Sequence, residues 1–233
     1  MSAAAVPLFD AARLREREPE ELSRLRAALS TVGFCRVGRH SIPAELIAEL
    51  ASCRRAFFAQ PEAAKRRVAI EQSAHFRGWS RLEGERTNDN VDFKEFFDAG
   101  WEPAWGRPEP GAEGAAPPFR QLQGPNQWPE ETAALRSPRG RPWRAVTSDY
   151  MRAAHALGLE LLGAMAASLG LPERTFADSV ADDPFAVLRL NKYPPQPEPA
   201  EPEPEPELRI GIDGHCDYVI VMLSRFAVLP ASR

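Results

Sequence analysis

Lysine is nearly absent from these 233 residues: Lys65, Lys94 and Lys192 are the only three, and arginine supplies the other 26 of 29 basic groups. Set against 33 acidic side chains, they leave a net charge of -4 with no basic block. Nothing in that balance argues for nucleic acid or an anionic membrane surface, and neither is expected as partner. Cysteine is scarce as well. Cys35, Cys53 and Cys216 are odd in number, so they make no disulfide framework, and a reducing, cytoplasmic setting fits them better. Long apolar runs are missing: the longest, Leu157 to Leu171, is interrupted by Glu160 and too short to span a bilayer. Ala3-Ala4-Ala5-Val6 is too short for a signal-peptide core, and charge follows it rather than preceding it. Histidine occurs four times, at His40, His75, His155 and His215, so a site needing two imidazoles draws on a short list.

What is present reads as an ordinary globular chain, 43% hydrophobic and 27% charged, long enough to bury a core. Val6 to Asp10 has the look of a short strand. Pro19 opens a helix with Leu22, Leu25, Leu29 and Val32 at helical spacing, ended by Gly33. Phe34 to Val37 reads as a strand. A second helix follows Pro43, with Leu46, Leu50, Cys53 and Phe57 on one face, and Pro61 starts a shorter one through about Val68. Residues 75–140 are the least periodic part, with one strand expected near Asp92 to Ala99. A long helix is expected from Trp143 to Leu169, its stripe formed by Trp143, Val146, Tyr150, Ala154, Leu157, Leu161 and Met165, with a stop at Gly170 and Pro172. Phe185 to Leu190 reads as a buried strand, and strand patterning returns at Leu208 to Ile212 and Tyr218 to Leu223. Between these, residues 194–207 hold seven prolines and five glutamates, a composition that favours an extended, solvated linker.

His215-Cys216-Asp217 carries the chemistry. On a strand, alternate side chains share a face, so His215 and Asp217 would stand side by side as two corners of the facial triad that holds non-haem Fe(II). A tripeptide by itself is a weak signal, because such short motifs recur by chance.

Its surroundings strengthen it. Gly33-Phe34-Cys35-Arg36-Val37 with His40-Ser41-Ile42-Pro43, Phe57-Phe58 with Pro61 and Lys65, Phe76-Arg77-Gly78-Trp79, Asp92-Phe93-Lys94-Glu95, Gly124 to Pro129, Asn191-Lys192-Tyr193-Pro194 and Gly211 to Tyr218 follow one another in a familiar order. From about residue 5 to residue 223 the chain resembles the isopenicillin N synthase-like Fe(II)/2-oxoglutarate-dependent dioxygenases. The resemblance implies an α+β fold, with N-terminal helices and strands packed on a double-stranded β-helix, or jelly roll. It implies an N-terminal region over 5–125 and the start of the oxygenase domain over 126–223, followed by a tail at 224–233 that no longer matches. It also implies Fe(II) and 2-oxoglutarate as cofactors and a small organic molecule as substrate, oxidised with O2 as succinate and CO2 are released. His215 and Asp217 carry over as metal ligands, and Asn191 and Tyr193 as partners of 2-oxoglutarate.

The family's distal histidine and its R-x-S motif have no counterpart here. The jelly roll is therefore expected to be truncated, with open edges that invite self-association, and the metal site to be incomplete. Two readings of function stay open: a dioxygenase that is incomplete as this sequence stands, or a non-catalytic remnant serving as a binding or regulatory protein.

Overall fold

The computed structural model of the chain describes residues 6–102, 121–181, 184–195, 210–215 and 219–225. It divides into two compact units, one of Met1–Ile42, Arg152–Asp182 and Cys216–Arg233, the other of Pro43–Met151 and Asp183–His215.

The first unit opens with β1 (Leu8–Asp10), which pairs in parallel with β2 (Arg36–Gly38). A parallel pair needs a crossover, and α1 (Ala11–Arg15) and α2 (Pro19–Thr31) supply it. Asp10 ends β1 and caps α1, its carboxylate accepting from the Ala12 N–H at 2.9 Å. Pro19 stands where a helix tolerates it, in the first turn, whose amides have no partner inside the helix. Phe9, Leu14, Leu25 and Ala28 are buried. Glu21 is buried with them and is neutralised by Arg13 and Arg24. The later part of α5 (Trp143–Ser168) belongs to this unit, as does α6 (Arg174–Ala177). Gly170 adopts a φ of +71° just past α5, a conformation that costs a glycine little and stops the helix as the sequence suggested.

The second unit is built on a three-stranded antiparallel sheet in the order β3 (Gly78–Ser80), β6 (Glu95–Gly100), β7 (Val187–Lys192). Central β6 is buried at every position. Its Phe97 lies in an aromatic cluster, with ring centroids 5.1 Å from Phe57 of α3 (Ala44–Phe58) and 4.9 Å from Trp143 at the start of α5. Burying each such ring contributes about 2–3 kcal/mol, so this cluster is where the unit's stability concentrates. Beside it Glu95 accepts hydrogen bonds from Lys65 of α4 (Glu62–Lys65) at 2.5 Å, from Lys192 at 2.8 Å and from the Trp79 indole at 2.9 Å. Two of the three lysines thus flank one buried carboxylate. A hairpin of β4 (Arg86–Thr87) and β5 (Asn90–Val91) leads into β6, its turn made by Asn88 and Asp89 at φ +48° and +69°.

The α+β mixture is as expected, and the helices from Pro19, Pro43, Pro61 and Trp143 all form. Four expectations change. The strand after Gly33 begins at Arg36, leaving Phe34 65% exposed. Along the expected α5 stripe, Tyr150, Ala154 and Met165 are only half-buried, whereas Thr147, Met151 and Leu162 are buried. The strand expected over Phe185 to Leu190 runs instead over Val187–Lys192 and is not buried. It is an outer strand of the described sheet, with Leu190 its one buried residue and Val187 45% exposed. The strands expected at Leu208 to Ile212 and Tyr218 to Leu223 do not form among the described residues 210–212 and 219–223. A strand exists only as half of a ladder, and among the described residues Ile210 shows a single backbone bond of that kind, from the Phe93 N–H to the Ile210 carbonyl at 2.8 Å. The rest of the Pro194 to Glu207 linker beyond Pro195 lies outside the described residues.

Candidate active site

Antiparallel register puts side chains of paired residues on the same face. Phe96 pairs with Asn191 and Asp98 with Arg189, so one face of the second unit's sheet carries Asn191, Arg189, Phe96 and Asp98 together. The opposite face carries Glu95, Phe97 and the aromatic core. Asn191, next to last in β7, is a ladder residue, and the Arg54 guanidinium donates to its carbonyl at 2.8 Å. Its side-chain Oδ1 is buried without a hydrogen-bond partner. A buried amide oxygen left unpaired costs about 1–3 kcal/mol, so the position is poised for a polar ligand. Turning the amide over would offer its NH2 to a carboxylate in the same place.

Arg189 organises this face. Its guanidinium forks onto Asp98 at 2.9 and 2.8 Å, reaches Glu85 at 2.9 Å and stacks on Phe96 with 3.8 Å to the ring centroid. Burial works against its charge, but Asp98 and Glu85 outweigh it and hold Arg189 protonated, with its pKa raised. For Glu85, burial opposes ionisation, and the hydrogen bonds from Lys94 and Arg189 overcome it, so its pKa falls below the usual carboxylate value. Lys94 bonds Glu85 and Asp92, each at 2.7 Å.

Tyr193, just past β7, is 48% exposed. Its ring lies over Gly211: a Cβ there would stand 2.8 Å from Cδ1 and 2.9 Å from Cε1 of the ring, so only glycine fits without a shift. The structure therefore brings Tyr193 against the segment that carries His215. His215 itself is exposed and not in a strand. Its Nδ1 lies 2.8 Å from the Asp213 carbonyl. A carbonyl can only accept, so Nδ1 carries a proton, and Nε2 is the nitrogen that a neutral ring would offer to a metal. Asp217 lies outside the described residues. No group of three or more His, Cys, Asp or Glu able to hold a metal occurs among the described residues. His75 makes a contact of its own, its Nδ1 being 2.8 Å from the Gln121 carbonyl. Cys35 and Cys53 are free thiols, and burial pushes both upward in pKa.

Asn88 and Asn90 were not singled out by the sequence reading. The Asn88 amide donates to the Gly214 carbonyl at 2.5 Å, and the Asn90 amide donates to the Asp213 carboxylate at 2.8 Å. That bond and the Gly214 N–H hold the Asp213 carboxyl below its usual pKa. The signal available was Asn88-Asp89, a pair suited to the positive φ values of a tight hairpin turn.

The profile of the family described as non-haem dioxygenase in morphine synthesis N-terminal matches residues 6–131. The 2-oxoglutarate-dependent dioxygenase frbJ of Dothideomycetidae sp. (strain 11243) is 31% identical over 196 residues, covering 83% of this chain and 49% of the relative. Proline hydroxylase buaE of Petromyces alliaceus is 32% identical over 185 residues, covering 76% of this chain and 50% of the relative. Among solved structures, a 2OG-Fe(II) oxygenase family protein from Caulobacter crescentus aligns with a TM-score of 0.60 at 24% identity, over 85% of this chain and 59% of that one. This last likeness concerns the fold. The chain spans about half the length of the curated relatives it matches. No helix among the described residues is long and apolar enough to cross a membrane.

Proposed function

Since the chain belongs to the isopenicillin N synthase-like Fe(II)/2-oxoglutarate-dependent dioxygenase family, we propose that it is the helical N-terminal region and the first part of the oxygenase domain of an enzyme that oxidises a small organic substrate. For a hydroxylation, one of the outcomes open to the family, the overall change balances as substrate C–H, O2 and 2-oxoglutarate giving substrate C–OH, succinate and CO2. When bound, iron with 2-oxoglutarate supplies the O2 chemistry. The chain's own residues orient and hold. His215, through Nε2, and Asp217 would be two of the three protein ligands to the iron. Asn191 and Tyr193 meet 2-oxoglutarate, and the Arg54 contact keeps the Asn191 backbone in place. The family's second imidazole and its R-x-S arginine have no counterpart among these 233 residues, so the site as this sequence gives it is incomplete. The sheet of β3, β6 and β7 is one wall of the jelly roll, with the polar face that bears Asn191 turned inward. The domains are 5–125 and 126–223, and the free thiols agree with a cytoplasmic setting.

The observation that carries this reading is the packing of Tyr193 on Gly211, which joins the cosubstrate strand to the segment of His215. Four histidines make the test direct. Mn(II) is added in steps to the 233-residue chain, and the imidazole NMR signals are followed. The His215 signal should broaden first, less so in Asp217→Asn, and 2-oxoglutarate should then broaden the Asn191 side-chain amide. A His215 signal that survives while another imidazole broadens would sink the ligand assignment and favour a non-catalytic role.

A further inference from the structure

The segment that carries His215 is not in a strand, yet its imidazole makes a defined contact, Nδ1 lying 2.8 Å from the Asp213 carbonyl. Among the described residues, bonds reach this segment from the β4–β5 hairpin. Asn88 donates to the Gly214 carbonyl at 2.5 Å and Asn90 to the Asp213 carboxylate at 2.8 Å, while the Asp213 carbonyl receives the His215 Nδ1–H. At the base of the hairpin, the Phe93 N–H holds the Ile210 carbonyl at 2.8 Å. Residues 210–215 are thereby pinned at both ends by groups from 88–93.

The hairpin is itself tied to the sheet. Glu85, next to β4, bonds Arg189 of β7 and Lys94, which precedes β6. Asp92, just past β5, accepts from Thr87 of β4 at 2.9 Å and from Lys94 at 2.7 Å. Arg189 stands two residues before Asn191 on the same face of β7. Charge-assisted bonds therefore link the strand of Asn191 through Glu85 and Lys94 to Asp92 and Thr87 at the hairpin, and the Asn88 and Asn90 amides carry the connection on to Gly214 and Asp213.

We propose that the β4–β5 hairpin is a clasp, with Asn88 and Asn90 as positioning residues that hold residues 213–214 so that His215 keeps its Nδ1–H tautomer and faces its ligand with Nε2. The clasp stands on the hydrogen bonds alone, and its consequence for metal binding rests on the reading of His215 given above. Both asparagines are exposed, and their loss opens no hole in the core. Asn88 sits at φ +48°, so glycine there removes the amide and spares the turn.

The test uses the metal-free chain. Ring 15N shifts of His215 report the ratio of Nδ1–H to Nε2–H forms. In Asn88→Gly with Asn90→Ala this ratio should fall roughly five-fold, the size expected when the single bond from Nδ1–H to the Asp213 carbonyl is lost. Mn(II) binding at His215 should weaken about ten-fold, as it does when a partner behind a ligand is removed. Asn90→Asp, which sets a like charge against Asp213, should act more strongly than Asn90→Ala. Adding Asp213→Asn to it should restore the ratio by reversing donor and acceptor. A merely structural role would produce no such rescue. An unchanged ratio in the Asn88→Gly, Asn90→Ala chain, or a swap that restores nothing, would overturn the clasp. If the ratio moves but Mn(II) never touches His215, the clasp stands and the metal assignment falls. If Mn(II) broadens His215 while the ratio ignores the asparagines, the assignment stands and the clasp falls.

Discussion

Strand β6 is buried at all its positions and paired on both sides, whereas residues 210–215 in the same unit are mostly exposed and have no ladder. The strand is fixed by backbone hydrogen bonds and aromatic packing, which resist change at any one side chain except the largest. The segment is fixed by a few polar contacts of named side chains, each replaceable without damage to the core. Stability and site geometry are thus separable: substitutions in the sheet should be read in unfolding curves, and substitutions around His215 in spectroscopy.

The largest effect should come from the packed side. Phe97→Ala empties the centre of the cluster with Phe57 and Trp143 and should cost about 3–5 kcal/mol by chemical denaturation. A loss under about 1 kcal/mol would mean that the sheet is not the unit's stable part.

Glu95→Gln should rank next, at about 3 kcal/mol near neutral pH, because it strands the buried Lys65 ammonium without its counter-charge. This stability should also depend on acidity. Burial alone would raise the Glu95 pKa, but hydrogen bonds from Lys192, Lys65 and Trp79 bring it below the ordinary 4.5. A carboxylate held low in the folded state stabilises it above the unfolded-state value, and that gain disappears as pH falls through the folded-state value. The parent chain should therefore lose stability below pH 4.5, and Glu95→Gln should show a shallower acid slope. Equal slopes would contradict the assignment.

Gly211→Ala should do least to stability, within about 0.5 kcal/mol, since Tyr193 is half exposed and can swing away. The same change should shift the Tyr193 ring signals, because an added Cβ would overlap the ring. Unshifted ring signals would show that Tyr193 does not rest on Gly211 in solution.

Local signals explain which elements were legible. Helices α2 to α5 announced themselves through Pro19, Pro43, Pro61 and Gly170 and through apolar residues at helical spacing, all of which act within a few residues. The hairpin went unread because β4 and β5 are two residues each, too short to show alternation. Asn191 and Tyr193 were nameable by resemblance, yet the unpaired Oδ1 of the one and the glycine beneath the other follow only from contacts across the fold.

Composition and order of motifs, then, determined by themselves the family, the helix boundaries and the residues to suspect, because those depend on near neighbours and on residue type. Tertiary structure decided the rest. It made β7 an outer strand of the described sheet, since exposure depends on what lies alongside. It left residues 210–215 without a ladder, since pairing needs a partner at a distance in the chain. And it brought Asn88 to Gly214 and Asn90 to Asp213, beside His215, across more than a hundred residues, a meeting that no local pattern encodes.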